Sequence, residues 1–127
     1  MKKKKNVRLI CLLSVLGIIS ACAKPDSVET IKSPTEGLFY TVEGFNGIGP
    51  ADSDSTRVYA RFRHGGESDK ELVLEGTNLT ISQVTWDGSH DVTICVQRGV
   101  TSIFRNEVTL RIGRNWEQVH NHLRENC

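Results

Sequence analysis

Hydrophobic and polar residues alternate along much of the chain after residue 36, a pattern typical of strands with one buried face. The clearest case is residues 56–63, where three apolar residues alternate with polar, aromatic or charged neighbours. Its inward positions are Val58, Ala60 and Phe62, and the opposite face carries Arg57, Tyr59, Arg61 and Arg63. This segment is therefore predicted to be a strand with an exposed, arginine-rich face.

Five further runs predict strands, and residues typical of turns separate them. The runs span residues 38–43, 71–75, 79–86, 91–97 and 104–112, and turns are predicted at 64–70, 76–78, 87–89 and 98–99. The apolar phase slips between Ile81 and Val84, which predicts a β-bulge. Six short strands rich in Val, Ile and Thr predict an all-β or β-rich domain, a small antiparallel β-sandwich or barrel.

The C-terminal residues 115–127 fit two structures. Asn115 followed by Gln118 resembles a helix capping box, in which both side chains satisfy free backbone donors. A helical stripe would then consist of Trp116, Val119 or His120, Leu123 and Cys127. The sequence thus leaves two interpretations open, a C-terminal helix and a closing strand.

Two segments are candidate binding surfaces. Residues 44–55 form a long, glycine-rich loop, and long loops on rigid sheets often carry recognition. Its candidate binding residues are Phe45, Asn46, Ile48, Asp52 and Asp54. The second candidate is the exposed face of the 56–63 strand, because arginine and tyrosine are enriched at protein interfaces. A solvated loop and a solvated sheet face are the alternatives.

Charge is distributed unevenly over the 127 residues. Sixteen basic residues stand against fifteen acidic ones, but five of the basic residues lie at positions 2–8 and no acidic residue precedes Asp26. The rest of the chain has eleven basic and fifteen acidic residues, a net charge of −4. This balance argues against a nucleic-acid partner, since neutralising phosphates requires clustered Lys and Arg.

The first 22 residues carry an export signal. A cationic segment precedes an apolar stretch at 9–19, which as a helix is about 16 Å long, roughly half of a bilayer's hydrocarbon core. The stretch ends in Ile19-Ser20-Ala21-Cys22. This ending resembles the lipobox of bacterial lipoproteins. The resemblance implies that Cys22 receives a diacylglyceryl group, that the leader is cut before it, and that the new amine is acylated.

The chain is accordingly expected to have three parts. Residues 1–21 are the lipoprotein signal peptide, 22–35 the lipidated cysteine with a flexible tether, and 36–127 the β-rich globular domain. In the lipoprotein family the residue after the cysteine influences sorting, and Ala23 favours the outer membrane. The domain is then expected in the periplasm or at the cell surface. An ordinary cleavable signal and a retained membrane helix are the alternatives.

A role for each of the four cysteines follows from this expectation. Cys11 would leave with the leader and Cys22 would carry lipid, so Cys95 and Cys127 remain. Exported chains meet an oxidising compartment, where two remaining thiols usually join. A Cys95–Cys127 disulfide is therefore predicted, with two separate thiols as the alternative.

Three short motifs invite a catalytic or metal-binding interpretation. Ser89-His90-Asp91 contains the residue types of a nucleophilic triad, but adjacent residues on a strand point to alternating faces. His120-Asn121-His122 places two histidines on one face only in a strand. Asp52 to Thr56 offers oxygen ligands for Ca²⁺ without the rest of an EF-hand loop. The sequence predicts no catalytic residue, metal site or cofactor from them.

The leading functional hypothesis is a non-catalytic, lipid-anchored binding or accessory module of the cell envelope, with an envelope protein as partner besides the membrane. One alternative is a small envelope enzyme, or an inhibitor of a cell-wall hydrolase, that uses the 44–55 loop. Another is a metal-binding envelope protein, whose ligands would be His64, His90, His120 and His122.

Overall fold

The computed structural model describes residues 24–47, 53–64 and 67–127, without the side chains of residues 64–68. Seven strands occupy this part of the chain: β1 (Ser27–Lys32), β2 (Leu38–Phe45), β3 (Ser55–His64), β4 (Glu67–Trp86), β5 (Asp91–Phe104), β6 (Glu107–Ile112) and β7 (Asn115–Glu125). They form one hydrogen-bonded sheet in the order β1-β2-β3-β4-β5-β7-β6. The expected all-β class is confirmed, in one sheet that is not closed into a barrel.

The C-terminal segment is a strand, so of the two open interpretations the helix is wrong and the closing strand is the one observed. β7 pairs antiparallel with β6 and parallel with β5, and its buried residues alternate, with Val119 and Asn121 both inward. A helix of about a dozen residues is marginal by itself. As a strand, the segment gains backbone partners on both sides, which explains why the strand alternative is the observed one.

β1 lies within residues 22–35, which were expected to be a tether. It pairs with β2 along its whole length, from Ser27 opposite Gly44 to Lys32 opposite Phe39. Most of its side chains are exposed, so it has no apolar alternation to reveal it. Backbone pairing at a sheet edge therefore positions this segment, and the sheet begins only three residues after Lys24.

β4 and β5 are long strands that bend together, where two turns were predicted at 76–78 and 98–99. Asn78 and Gly99 have positive φ values of 51° and 103°, and the register shifts several times between Glu75 and Gln83. The turn-forming residues therefore bend a continuous strand pair. The β-bulge predicted between Ile81 and Val84 is confirmed by the shift between Ile81 and Gln83.

The bend lets the sheet curl around one core, with β6 against β3 and β4. Two bonds join β4 to the residues that lead into β6 and to β6 itself. The Arg105 amide donates to the Val73 carbonyl at 2.8 Å, and the Arg111 amide donates to Asp69 Oδ2 at 3.0 Å. The core residues are Leu38, Tyr40, Val58, Ala60, Phe62, Val73, Leu74, Leu79, Val92, Ile94, Val96, Val108, Leu110 and Val119.

A buried polar network fixes β7 against β2 inside this core. The Tyr40 hydroxyl donates to Asn121 Oδ1, and the Asn121 side-chain amide donates to the Arg105 carbonyl at 3.1 Å. The Tyr40 ring meets Trp86 edge to face, with centroids 5.1 Å apart. Burial raises the pKa of Tyr40 above its ordinary value. Satisfied buried polar groups of this kind favour one strand arrangement over others.

The predicted disulfide is present between Cys95 and Cys127, with Cα atoms 6.1 Å apart. It links β5 to the residue that follows β7 by two positions, across the one parallel strand pair of the described sheet.

Among residues 24–47, 53–64 and 67–127 there is no apolar helix of bilayer-spanning length.

Candidate functional site

The outer face of β1 to β4 gathers the four residues of the predicted interface with further basic and aromatic side chains. Residues directly opposite one another in paired strands share a face. The strand registers therefore place the following side chains together, as the basic-aromatic face: Val28, Thr30, Lys32, Phe39, Thr41, Glu43, Phe45, Arg57, Tyr59, Arg61, Arg63, Lys70, Leu72 and Glu75.

A β-bulge at β4 makes this face continuous. Val58 opposes Leu74 whereas Tyr59 opposes Leu72, so Val73 has no direct partner on β3. Val73 and Leu74 are both buried, and the residues on either side of them return to the outer face. The bulge therefore lets Lys70 and Glu75 lie beside the β3 cations.

Each aromatic ring of the face lies beneath a cation. Arg57 lies 5.0 Å from the Phe45 ring centroid and Arg63 lies 5.8 Å from that of Phe39. Tyr59 has cations from two strands, with Arg61 at 5.5 Å and Lys70 at 4.0 Å from its centroid. Such contacts contribute about 0.5–1 kcal/mol each at exposed sites, and they hold flexible cations over a rigid sheet.

Two carboxylates hold two of the arginines. Arg61 donates to Glu43 Oε2 at 3.1 Å and to Thr41 Oγ1 at 2.9 Å, and both acceptor residues are buried beneath it. Arg57 donates to Glu75 Oε1 at 3.0 Å. These pairs orient the guanidinium groups without covering them, since both arginines are half-buried rather than enclosed.

A cleft of about 510 Å³ opens at one end of the basic-aromatic face, beside the β1–β2 turn. Lys32 and Arg63 flank it, the Phe39 ring forms part of its wall, and Glu36 also lines it. Hydroxyl groups of Thr30, Ser33 and Thr35 are near. Two cations beside an aromatic surface favour an anionic ligand group at this end.

The predicted binding loop is anchored at both of its described ends. The Asn46 amide donates to Asp26 Oδ2 at 2.6 Å, and the Gly47 amide donates to Asp54 Oδ1 at 2.9 Å. The Asp54 amide also donates to Asn78 Oδ1, and the Asn78 amide donates to the Asp54 carbonyl. Asp54 therefore has a role in loop structure. Ile48 and Asp52 lie outside the described residues, and so does the Ca²⁺ interpretation that depends on Asp52.

The histidines of β7 share a face, as a strand requires, but each has its own carboxylate. His120 lies 3.8 Å from Glu107 and His122 lies 3.7 Å from Asp91. In the described part of the chain, no three His, Cys, Asp or Glu side chains are grouped as metal ligands would be. The side chain of His64 lies outside that part.

Ser89 and His90 form a hydrogen-bonded relay with a residue that sequence reasoning missed. Ser89 Oγ lies 2.8 Å from His90 Nδ1, and His90 Nε2 lies 3.1 Å from Glu117 Oε2. The acidic member comes from β7 and not from the neighbouring Asp91. Glu117 could be found only by knowing that β7 is a strand beside β5, which the residue pattern left undecided. The relay lies at an exposed hairpin tip, with Ser89 in solvent.

Cys22, the predicted lipidation residue, lies outside the described residues, as do Ala23 and the predicted signal peptide. Comparison of the whole chain with known proteins finds no matching family model, no matching curated protein and no matching solved structure.

Proposed function

We propose that this chain is a lipid-anchored bacterial envelope protein that acts as a non-catalytic binding or accessory module through its basic-aromatic face. The lipobox-like Ile19-Ser20-Ala21-Cys22 supports the anchor, and Ala23 supports sorting to the outer membrane. The Cys95–Cys127 disulfide supports export, because disulfides persist in oxidising compartments.

The observation that carries the binding role is that the cationic side chains of the basic-aromatic face are held in place. Its arginines and its lysine on β4 are held over rings and carboxylates of the same sheet. A side chain that is already ordered loses less entropy when it binds, so such a face binds at lower cost than free surface cations.

The anchor is tested by labelling growing cells with radioactive palmitate. We expect the label in the wild-type protein and in the membrane fraction, and no label in the Cys22→Ser variant, which keeps its leader. Intact mass adds a second readout, since diacylglyceryl transfer and N-acylation add fatty chains to Cys22. An unlabelled wild-type protein recovered from the medium would contradict the proposal.

The face is tested in the same cells with a photo-crosslinking amino acid. Thr30 is exposed on the basic-aromatic face, and Gln118 is a matched exposed position on β7. We expect crosslinks to envelope components from position 30 and few from position 118. The pattern should disappear when Arg63→Glu and Lys70→Glu are added. Equal crosslinking from both positions would contradict a binding role of this face.

The Ser89–His90–Glu117 relay supports a second candidate function, a small envelope hydrolase in which His90 would accept the Ser89 proton. Its exposure disfavours this candidate, because polar catalysis gains from a water-excluded site. We expect hydrolysis of p-nitrophenyl acetate to be the same in wild type, Ser89→Ala and the matched Ser102→Ala. A rate that falls only with Ser89→Ala would favour the enzyme.

A further inference from the structure

We propose that the basic-aromatic face docks on an anionic lipid surface, with Lys32 and Arg63 directed at headgroup phosphates from the two sides of their cleft. The inference rests on the proposed lipid anchor and names the occupant of the same face. It adds an orientation: the β1–β4 side of the sheet faces the bilayer, and β5 to β7 face away from it.

The first observation is the separation of charge over the molecule. From Cys22 onward the chain has eleven basic and fifteen acidic residues. The basic-aromatic face holds five of these cations and only two of the carboxylates, Glu43 and Glu75. The rest of the molecule is therefore strongly acidic. An anionic surface attracts this protein in one orientation and repels it in the others.

The second observation is the shortness of the connection to the proposed anchor. Four residues lie between Cys22 and Ser27, the first residue of β1, and the five steps from one Cα atom to the next span at most about 17 Å when extended. β1 is the edge strand of the basic-aromatic face. The face itself extends about 20 Å from Arg57 to Arg63 at ordinary strand rise. A domain tethered this closely stays near the headgroups, and β1 is the first strand after the proposed anchor.

The third observation is which cations remain available. Among the side chains that the structure describes, the ion pairs of this face involve Arg57 and Arg61 and none involves Lys32, Arg63 or Lys70. Arg63 and Lys70 are exposed, and each lies over an aromatic ring of the same face. Arginine and lysine in this state bind phosphate oxygens by charge-assisted hydrogen bonds.

The apolar residues of the face fit the same occupant. Val28 is 56% exposed and lies on this face opposite Glu43. It is next to Ser27, where the connection from Cys22 enters β1. The half-buried Phe45 and Tyr59 rings lie beside the cations. Amphipathic side chains with a cationic or polar tip and an apolar body are favoured at the membrane interface. The fatty chains proposed for Cys22 hold the protein at the membrane, and the basic patch adds an electrostatic attraction that sets its orientation.

The test uses the mature lipidated protein, its acyl chains verified by intact mass, in two kinds of vesicle. One is pure phosphatidylcholine, and the other also contains phosphatidylglycerol, whose anionic headgroups attract basic segments. The readout is acetylation of Lys32 and Lys70 followed by mass spectrometry. An Arg124→Lys variant supplies a reporter lysine on β7, away from the face.

We expect acetylation of Lys32 and Lys70 to be about five-fold slower on the anionic vesicles, the factor that corresponds to the attraction of one basic residue to an anionic surface. The lysine at position 124 should react equally fast on both kinds of vesicle. Protection should vanish in 1 M salt, where the Debye length is about 3 Å. Arg63→Glu should reduce the protection of Lys32, and the matched Arg98→Glu on β5 should not.

Each other outcome overturns the inference in a distinguishable way. Equal reactivity of Lys32 and Lys70 on both vesicles, with intact acyl chains, would overturn the docking and leave the anchor standing. Protection that occurs in whole envelopes but on neither vesicle would identify a protein as the occupant. A Cys22 without fatty chains would overturn the proposed function, and the inference with it.

Discussion

Replacing Gly99 with alanine is expected to lower the free energy of unfolding by roughly 3–5 kcal/mol. Gly99 lies on β5 with φ of +103°, a region that residues with a side chain rarely adopt. A Cβ atom there would lie 2.5 Å from both the Asn78 carbonyl oxygen and the Leu79 Cα. Both atoms belong to backbone, so relief requires moving the bent part of β4.

A matched control separates the close contact from the backbone strain. Gly113, in the turn between β6 and β7, also has a positive φ, +66°, but a Cβ there would meet nothing within 4 Å. Gly113→Ala should therefore cost only about 1–2 kcal/mol, the price of a left-handed residue. Urea unfolding followed by circular dichroism compares the two variants. Equal losses of stability would show that the β4–β5 contact at Gly99 does not constrain the bend.

The bend at Gly99 is a feature of the fold that the sequence predicted only in part. Residues 76–78 and 98–99 have turn-forming composition, and they do change the direction of the chain. Such residues can form a turn that ends a strand, or they can bend a continuous strand pair. Which of the two occurs depends on contacts with the partner strand, and the local sequence pattern contains no information on those contacts. Gly76 illustrates this, since its added Cβ would lie 2.6 Å from the Val100 carbonyl oxygen of β5.

The strands that could be predicted were those with a buried face. β2, β3 and the described core strands show apolar alternation because one side packs inward. β1 has only Ile31 half-buried and was assigned to a tether. β7 has Asn121 at an inward position, which interrupts its apolar pattern. Its burial depends on Tyr40, 81 residues away in sequence, so the segment could not be assigned from its own residues.

The basic-aromatic face was predictable in part. Alternation along β3 placed Arg57, Tyr59, Arg61 and Arg63 on one side, and the structure shows them there. The rings of β2 and Lys70 of β4 could not be assigned to it without strand registers and the bulge at Val73. For the same reason the net charge of −4 for the chain from Cys22 onward argued against polyanions, although three strands bring five cations together.

Removing the Cys95–Cys127 disulfide is expected to lower the free energy of unfolding by about 3–4 kcal/mol, because the bridge closes a loop of some thirty residues and restricts the unfolded chain. Cys127 is exposed whereas Cys95 is 3% exposed, so Cys127→Ala removes the bridge without leaving a cavity in the core.

The bridge also matters for how β7 stays in the sheet. β7 contributes Asn121 to the buried network and Glu117 to the Ser89–His90 relay, and Cys127 is two residues beyond its end. Thermal or urea unfolding should show Cys127→Ala and the dithiothreitol-reduced wild type losing similar stability, with dithiothreitol having no effect on the variant. Unchanged stability on reduction would mean that the β5–β7 ladder and the Tyr40–Asn121 bond hold the C-terminal strand unaided. A protein that needs the bridge folds fully only where thiols are oxidised, which ties the last strand of the sheet to the compartment that the proposed N-terminal signal implies.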